Sequence, residues 1–239
     1  MKREAKLGMN LTGIQTSPID SKAMIEFAER IAPDVPGNMD MLNNMRQTFV
    51  REAEPIGSVP LPGTVRGTIN SLVEKIKGQP IEIFIDKLGE RIAFERTGVR
   101  VYEALIPKAV ALEVGRNIIQ ILEQFHHEEA EHLSIVVDAL DSLGGDPTAL
   151  TPAADVAAVG SSGVLKVIAD PRTNFIQSLD ALLIAELTDH AAWELLIDLA
   201  ASLKKSNLVT SFEKALIQEQ NHLTVVKKLL SDQLLTLKT

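Results

Sequence analysis

The amino-acid sequence predicts an all-α protein in which two antiparallel helical hairpins, joined by a long crossover, form a four-helix bundle behind a helical N-terminal extension. The composition favours helices, because 45% of the 239 residues are hydrophobic and only 4% are aromatic. Two Glu-x-x-His motifs, Glu129–His132 and Glu219–His222, follow the lone glutamates Glu95 and Glu186 by 34 and 33 residues. This matched spacing indicates two similar hairpins.

The N-terminal extension is predicted over residues 1–79, whose short segments are broken by proline and glycine. Ser17 can cap a first helix and Asn38 a second. A third helix is predicted over residues 64–77. The prolines in the stretch 54–63 exclude a helix there and favour an extended strap. We expect this extension to pack on the bundle or on a neighbouring subunit.

The bundle is predicted over residues 80–239, and Pro80 can open its first helix because proline is favoured in a first helical turn. The matched residues of a hairpin meet at one height when the turn lies midway between them, near residue 112 in the first hairpin. Gly115 fits such a turn. Pro107 then falls inside the end of the first helix, where a kink is expected.

The second hairpin is predicted to turn near residue 203, where Lys204–Asn207 forms a polar break. The connection from Gly144 to Thr173 contains two glycine-rich segments and is long enough for the crossover between the hairpins. Short helices are predicted within it over residues 153–159 and 164–169.

The two Glu-x-x-His motifs have the spacing of half-sites for a metal. Glutamate and histidine three residues apart project from one face of a helix, so one ion can take an oxygen and a nitrogen from one turn. The antiparallel partner helix supplies another carboxylate. Four carboxylates and two imidazoles suit two bridged divalent ions with coordination positions left open. The candidate ligands are Glu95, Glu129, His132, Glu186, Glu219 and His222.

The faces that carry these glutamates are apolar, which predicts that the carboxylates are buried. Phe125 and Val136 lie on the face of Glu129, and Phe212 lies on that of Glu219. Burying unpaired carboxylates costs free energy or forces them to take up protons. Two divalent cations would balance the four negative charges.

With these six residues in this order and spacing, the chain resembles the ferritin-like di-iron carboxylate superfamily over roughly residues 80 to 239. In layout it is most similar to the rubrerythrin and bacterioferritin families. The resemblance implies two iron ions as cofactor, or alternatively two manganese ions or a mixed pair. It also implies dioxygen or peroxide as the partner of the metals.

The resemblance extends to residues beside the proposed ligands. Tyr102 stands where rubrerythrin-like proteins place a tyrosine next to the metals, and we expect it to take part in catalysis. Asp189 stands where those proteins have an extra carboxylate, so it is expected either to ligate directly or to hydrogen-bond to a ligand. His190 is expected to hydrogen-bond to a ligand.

The sequence also departs from these families. It contains no cysteine, so it lacks the cysteine-held iron site of rubrerythrins and would need an external electron donor. Ala130 occupies the position of the haem-binding methionine of bacterioferritin, so no haem is expected. Only 17 residues follow His222, which disfavours the fifth helix of cage-forming ferritins.

Neighbouring polar residues are expected to be mostly solvated or structural. Glu128 and Glu131 point away from the direction of Glu129 around the helix and are expected to be solvated. His126 either lines the site or is a partly exposed structural histidine, and His127 is expected outside.

The most favoured function is a di-iron oxidoreductase that oxidises ferrous iron or reduces peroxide. The alternatives are a manganese catalase, an iron-storing ferritin relative, an oxygenase acting on an organic substrate, and a non-catalytic helical protein. A net charge of −8 argues against nucleic-acid binding. The sequence has no long apolar run and no N-terminal apolar stretch, so we expect a cytoplasmic protein with no membrane partner. A homodimer is the oligomer considered.

Overall fold

A computed structural model of the chain describes residues 13–32, 34–35, 37–60 and 81–236. The described residues contain helices and no strand, which confirms the all-α class. The predicted helix over 64–77, the role of Pro80 and the boundary after residue 79 lie outside the described residues. The helices are α1 (Pro18–Arg30), α2 (Met39–Glu52), α3 (Ile81–Ala111), α4 (Arg116–Ser142), α5 (Pro152–Ala169), α6 (Phe175–Ser202) and α7 (Ser206–Thr236).

Residues 2–55 form one compact unit, of which the structure describes α1 and α2. Asn38 caps α2 as predicted, because its Oδ1 accepts the Met41 N–H at 2.7 Å. Ser17 precedes α1 but does not cap it with its side chain; its hydroxyl instead donates to Asp20 Oδ2 at 2.7 Å.

The second unit, residues 56–239, contains the five remaining helices. The long helices α3 and α4 pack together, as do α6 and α7, and further contacts join α3 to α6 and α4 to α7. The hairpin turns fall after Ala111 and Ser202, in agreement with the predicted positions. Helix α3 continues through Pro107 to its end.

The crossover contains one helix, α5, where two short helices over 153–159 and 164–169 were predicted. This prediction was wrong because Gly160 and Gly163 stay helical. A glycine costs only about 1 kcal/mol inside a helix. The Ser161 hydroxyl donates to Ala157 O at 2.7 Å within the same segment. Helix α5 packs against both α3 and α6.

Helix α5 is also long and apolar enough, by length and composition alone, to cross a membrane. Its 18 residues have a mean hydropathy of 1.3, and 17% of them are buried. The helix contains Asp155 and Lys166, so it is not an uninterrupted apolar run of the kind that the sequence analysis found to be absent. The contacts with α3 and α6 cover one side of the helix.

Two apolar clusters fill the interior of this unit and leave a polar layer between them. One contains Phe84, Leu88 and Trp193, and the other contains Tyr102 and Leu179. Along α3 the first cluster ends at Ile92 and the second begins at Val101, with Glu95 between them. The polar layer therefore lies midway along the long helices, shielded from water at both ends.

Candidate metal centre

The structure brings all six candidate ligands together in the polar layer. Each comes from one of the four long helices, and none is more than 2% exposed. Asp189, also 2% exposed, lies among them. Close packing of these helices is what joins residues as far apart in sequence as Glu95 and His222.

Among the described residues, three groups of ligand atoms, each within 4.8 Å of one another, could hold a metal ion. Glu219 belongs to all three groups, and Glu95 and Glu129 each belong to two, so these three carboxylates lie between the others. A carboxylate has two oxygens and can bridge two ions. The groups are Glu129, Glu186, Glu219 and His222; Glu95, His132 and Glu219; and Glu95, Glu129, Asp189 and Glu219.

Both imidazoles turn Nδ1 toward the carboxylates and are held from behind at Nε2. His132 Nε2 lies 3.0 Å from Gln218 Oε1, and His222 Nε2 lies 2.6 Å from Glu128 Oε2. These acceptors place the ring proton on Nε2, which leaves Nδ1 as an unprotonated donor atom for a metal. The residue before each Glu-x-x-His motif thus supports the histidine of the other motif.

The Nδ1 atom of His132 lies 2.7 Å from Glu219 Oε1, and both atoms are acceptors when the imidazole is neutral. Such an approach is unfavourable unless a cation or a proton lies between the atoms. Several other buried atoms that could ligate a metal have no hydrogen-bond partner among the described residues. They are Glu95 Oε2, Glu129 Oε2, Glu186 Oε2, both Glu219 oxygens, and the Nδ1 atoms of His132 and His222.

A buried arginine, missed in the sequence, completes the cluster. Arg91 is 2% exposed, and its Nη2 donates to Glu95 Oε1 and to Asp189 Oδ1. Burial opposes the charge on Arg91, but the two carboxylates outweigh it and raise the pKa of the guanidinium. Its position one turn before Glu95, beside the apolar Leu88 and Ile92, was a signal of burial that sequence reasoning could have used.

The pKa values indicate that the ionised form of the buried carboxyl groups is unfavourable when no metal is bound. Burial raises the pKa of Glu186 to about 8 and that of Asp189 to about 7. Burial and neighbouring carboxylates raise the pKa of Glu129 and Glu219 well above the usual range. Burial lowers the pKa of His222 to about 4, which keeps its imidazole neutral. Cations would therefore displace protons from this site.

Tyr102 lies beside the cluster and contacts a candidate ligand. Its hydroxyl donates to Glu186 Oε1 at 2.5 Å, and its ring packs edge-on against Phe125 at 6.2 Å. Burial and the adjacent Glu186 carboxylate raise the pKa of Tyr102 well above its usual value, so the hydroxyl keeps its proton. The phenol therefore orients Glu186.

The structure corrects the expectations for two neighbouring residues, Glu128 and His190. Glu128 is not solvated, because its side chain is 13% exposed and hydrogen-bonds to His222. Asp189 is paired with Arg91, which also donates to Glu95, and it belongs to one of the three ligand groups, so the structure does not decide between its two expected roles. His190 makes no hydrogen bond to a candidate ligand among the described residues; its Nδ1 lies 3.8 Å from Glu194 Oε2.

The other histidines lie outside the cluster. His126 Nε2 lies 3.8 Å from Glu103 Oε1 with its side chain 34% exposed, in keeping with the partly exposed alternative. His127 lies 3.3 Å from Glu131, and both side chains are exposed as predicted.

These features define the class of the molecule as a helical protein with a buried carboxylate and histidine cluster that could bind metal. No protein-family model, no curated protein and no solved structure matches the chain.

Proposed function

We propose that the long helices form a ferritin-like four-helix bundle that holds two iron ions, and that the protein is an oxidoreductase. Its substrates would be ferrous iron and dioxygen, or peroxide. The observation that carries this proposal is the set of buried carboxylate oxygens and Nδ1 atoms without hydrogen-bond partners among the described residues. Hard carboxylate oxygens with imidazole nitrogens suit iron and manganese.

The charge balance supports two divalent ions. The cluster contains five buried carboxylates, and Arg91 offsets one of their negative charges. Two divalent cations would neutralise the remaining four, which removes the cost of burying them. Arg91 donates to Asp189 Oδ1 as it does to Glu95 Oε1, so Asp189 would also hold Arg91 beside Glu95.

The residues of the chain divide the work of such a site. Glu95, Glu129, Glu186 and Glu219 would hold the ions through their carboxylate oxygens, and His132 and His222 would each add an Nδ1 atom. Two ferrous ions held there would supply two electrons to dioxygen or peroxide. Tyr102 holds Glu186 in place, and the apolar clusters on both sides exclude water.

A second candidate function, an oxygenase acting on an organic substrate, is favoured by one observation. A mostly apolar cavity lies between α3, α5 and α6, and Gly98, which lines it, also faces the Glu129 carboxylate. An apolar cavity beside a metal site is where such a substrate would bind.

The test is metal analysis combined with peroxide turnover on the same sample. Protein from a host supplied with iron and manganese should carry about two iron ions per chain. Glu219→Ala should lose both ions because this residue belongs to every ligand group, whereas Glu213→Ala, an exposed control on the same helix, should keep them. Protein that binds neither metal would refute the proposal.

Turnover then separates the redox alternatives. With no cysteine in the chain, the reduced di-iron form should consume about one peroxide per centre and stop until an external electron donor is added. Sustained oxygen release from peroxide by manganese-loaded protein would instead show a catalase. Light scattering that finds a large shell would show a storage protein.

A further inference from the structure

A cavity of about 330 Å³ lies between α3, α5 and α6. This volume falls in the range of small-molecule binding sites. Aliphatic and aromatic side chains form most of its surface. Its lining includes Phe94, Gly98, Val101, Val164, Ile184 and Ala185.

Gly98 places this cavity directly beside the candidate metal centre. A Cβ atom at position 98 would overlap Glu129 Oε2, so a larger residue there would force this carboxylate to move. Glu129 Oε2 is buried and has no hydrogen-bond partner among the described residues. At Gly98 the cavity and the cluster are therefore separated by little more than the backbone of one helix.

The polar groups in the lining are turned away from a ligand. Each of three hydroxyls donates to the carbonyl four residues earlier in its own helix: Thr97 at 2.9 Å, Ser161 at 2.7 Å and Thr188 at 2.9 Å. Glu90, the only charged residue among the described residues of the lining, accepts a hydrogen bond from Lys87. These described residues offer a ligand no cation and no free hydroxyl donor, which disfavours an anionic ligand.

We propose that this cavity binds a neutral, apolar organic molecule, which is a substrate of the adjoining metal centre. The substrate role rests on the oxygenase function proposed above as the second candidate, whereas binding in the cavity does not require metal. The ligand class follows from the apolar lining and the internally bonded hydroxyls. Proximity to the metals follows from Gly98.

Binding is tested on the full-length metal-free chain by calorimetric titration with octanol as the probe. Octanol should bind at one saturable site, and octanoate, which has the same chain length but a carboxylate, should bind at least about tenfold more weakly. Absence of saturable octanol binding, or equal binding of octanoate, would overturn the proposed ligand class.

A matched pair of variants locates the site. Ala157 lines the cavity from α5, whereas its neighbour Ala158 is exposed and does not line it. Ala157→Leu should weaken octanol binding about tenfold or more because the added atoms fill the cavity, and Ala158→Leu should leave it unchanged. Ala185→Leu fills the cavity from α6 and is the alternative cavity-filling variant if Ala157→Leu fails to fold. Equal binding by the filled and control variants would place octanol elsewhere.

The link to the metals is tested with cobalt as a spectroscopic probe. Octanol should shift the visible absorption of the cobalt-loaded protein but not that of cobalt-loaded Ala157→Leu. Octanol binding without a spectral shift would refute the substrate role. Failure to bind cobalt would count against the proposed function instead, while octanol binding to the metal-free chain would still be measured.

Discussion

At the residue scale, the Glu129 carboxylate fills the space that a side chain at position 98 would occupy. An alanine there would force the Glu129 carboxylate to move. We therefore expect Gly98→Ala to weaken metal binding about tenfold or more, because the displaced carboxylate would ligate less well. A tenfold loss of affinity corresponds to about 1.4 kcal/mol. Metal titration would measure the effect.

Gly160 provides the matched control for this substitution. It is also helical, but a Cβ there would meet nothing within 4 Å. Gly160→Ala should leave metal affinity unchanged and stabilise the protein by about 0.5 to 1 kcal/mol through helix propensity. Equal metal affinity in both alanine variants would contradict the role assigned to Gly98.

Glu128 holds His222 from behind, although it lies outside the set of candidate ligands. Its carboxylate accepts the Nε2 proton at 2.6 Å. Glu128→Gln should lower metal affinity about tenfold, in line with the usual effect of removing such a support. Glu131→Gln, an exposed neighbour, should have no effect in the same titration. A Glu128→Gln variant with wild-type affinity would show that the contact does not orient the ligand.

At the element scale, the two hairpins turn in the same way. Each helix ends in a turn whose residue has a positive φ, 56° at Glu113 and 57° at Lys204. The N–H of the following residue donates to the carbonyl five positions back, at 3.0 Å to Ala109 and 2.9 Å to Ala200. The two hairpins are therefore alike in the turns at their helix C-termini as well as in the spacing of their candidate ligands. These turns set the position of each glutamate along the bundle axis.

A glycine should be favoured at these turns. Lys204→Gly relieves the left-handed strain of a side chain and should raise the free energy of unfolding by about 1 kcal/mol, as measured by urea denaturation. Lys214→Gly, an exposed position inside α7, should instead destabilise the protein by about 1 kcal/mol. Destabilisation by both substitutions would contradict this account of the turn.

At the scale of the whole molecule, the buried carboxylates should make the metal-free protein less stable as the pH rises. The pKa of Glu186 rises from 4.5 to about 8, so its carboxyl binds a proton more tightly in the folded state. Stability is therefore lost between these values. The lowered pKa of His222, about 4 instead of 6.5, acts in the opposite direction but only below about pH 6.5.

The melting temperature of the metal-free protein should thus fall from pH 6.5 to about 8. Metal replaces the protons, so the loaded protein should melt higher and change less with pH. Glu186→Gln should flatten the fall in the metal-free protein, whereas Glu194→Gln, 59% exposed, should not. Identical melting curves for verified metal-free and loaded protein would refute a metal role in stability.

Much of the architecture is local in origin and was predictable from the sequence. The all-α class, the hairpin turns and the common helix faces of the six candidate ligands follow from composition, spacing and helical periodicity. The burial of Glu95, Glu129, Glu186 and Glu219 follows from their apolar flanks. Spacing within one helix fixes which side chains share a face, because the rotation per residue is constant.

Only the tertiary structure decided which partners meet across helices. The Arg91 pairing with Asp189, the Glu128 contact with His222 and the cavity beside Gly98 depend on helix rotation and separation. Local periodicity placed Glu128 off the ligand face but could not show that the neighbouring helix brings His222 to it. Side chains 94 or 98 residues apart meet only when packing of the whole core sets the distance between their helices.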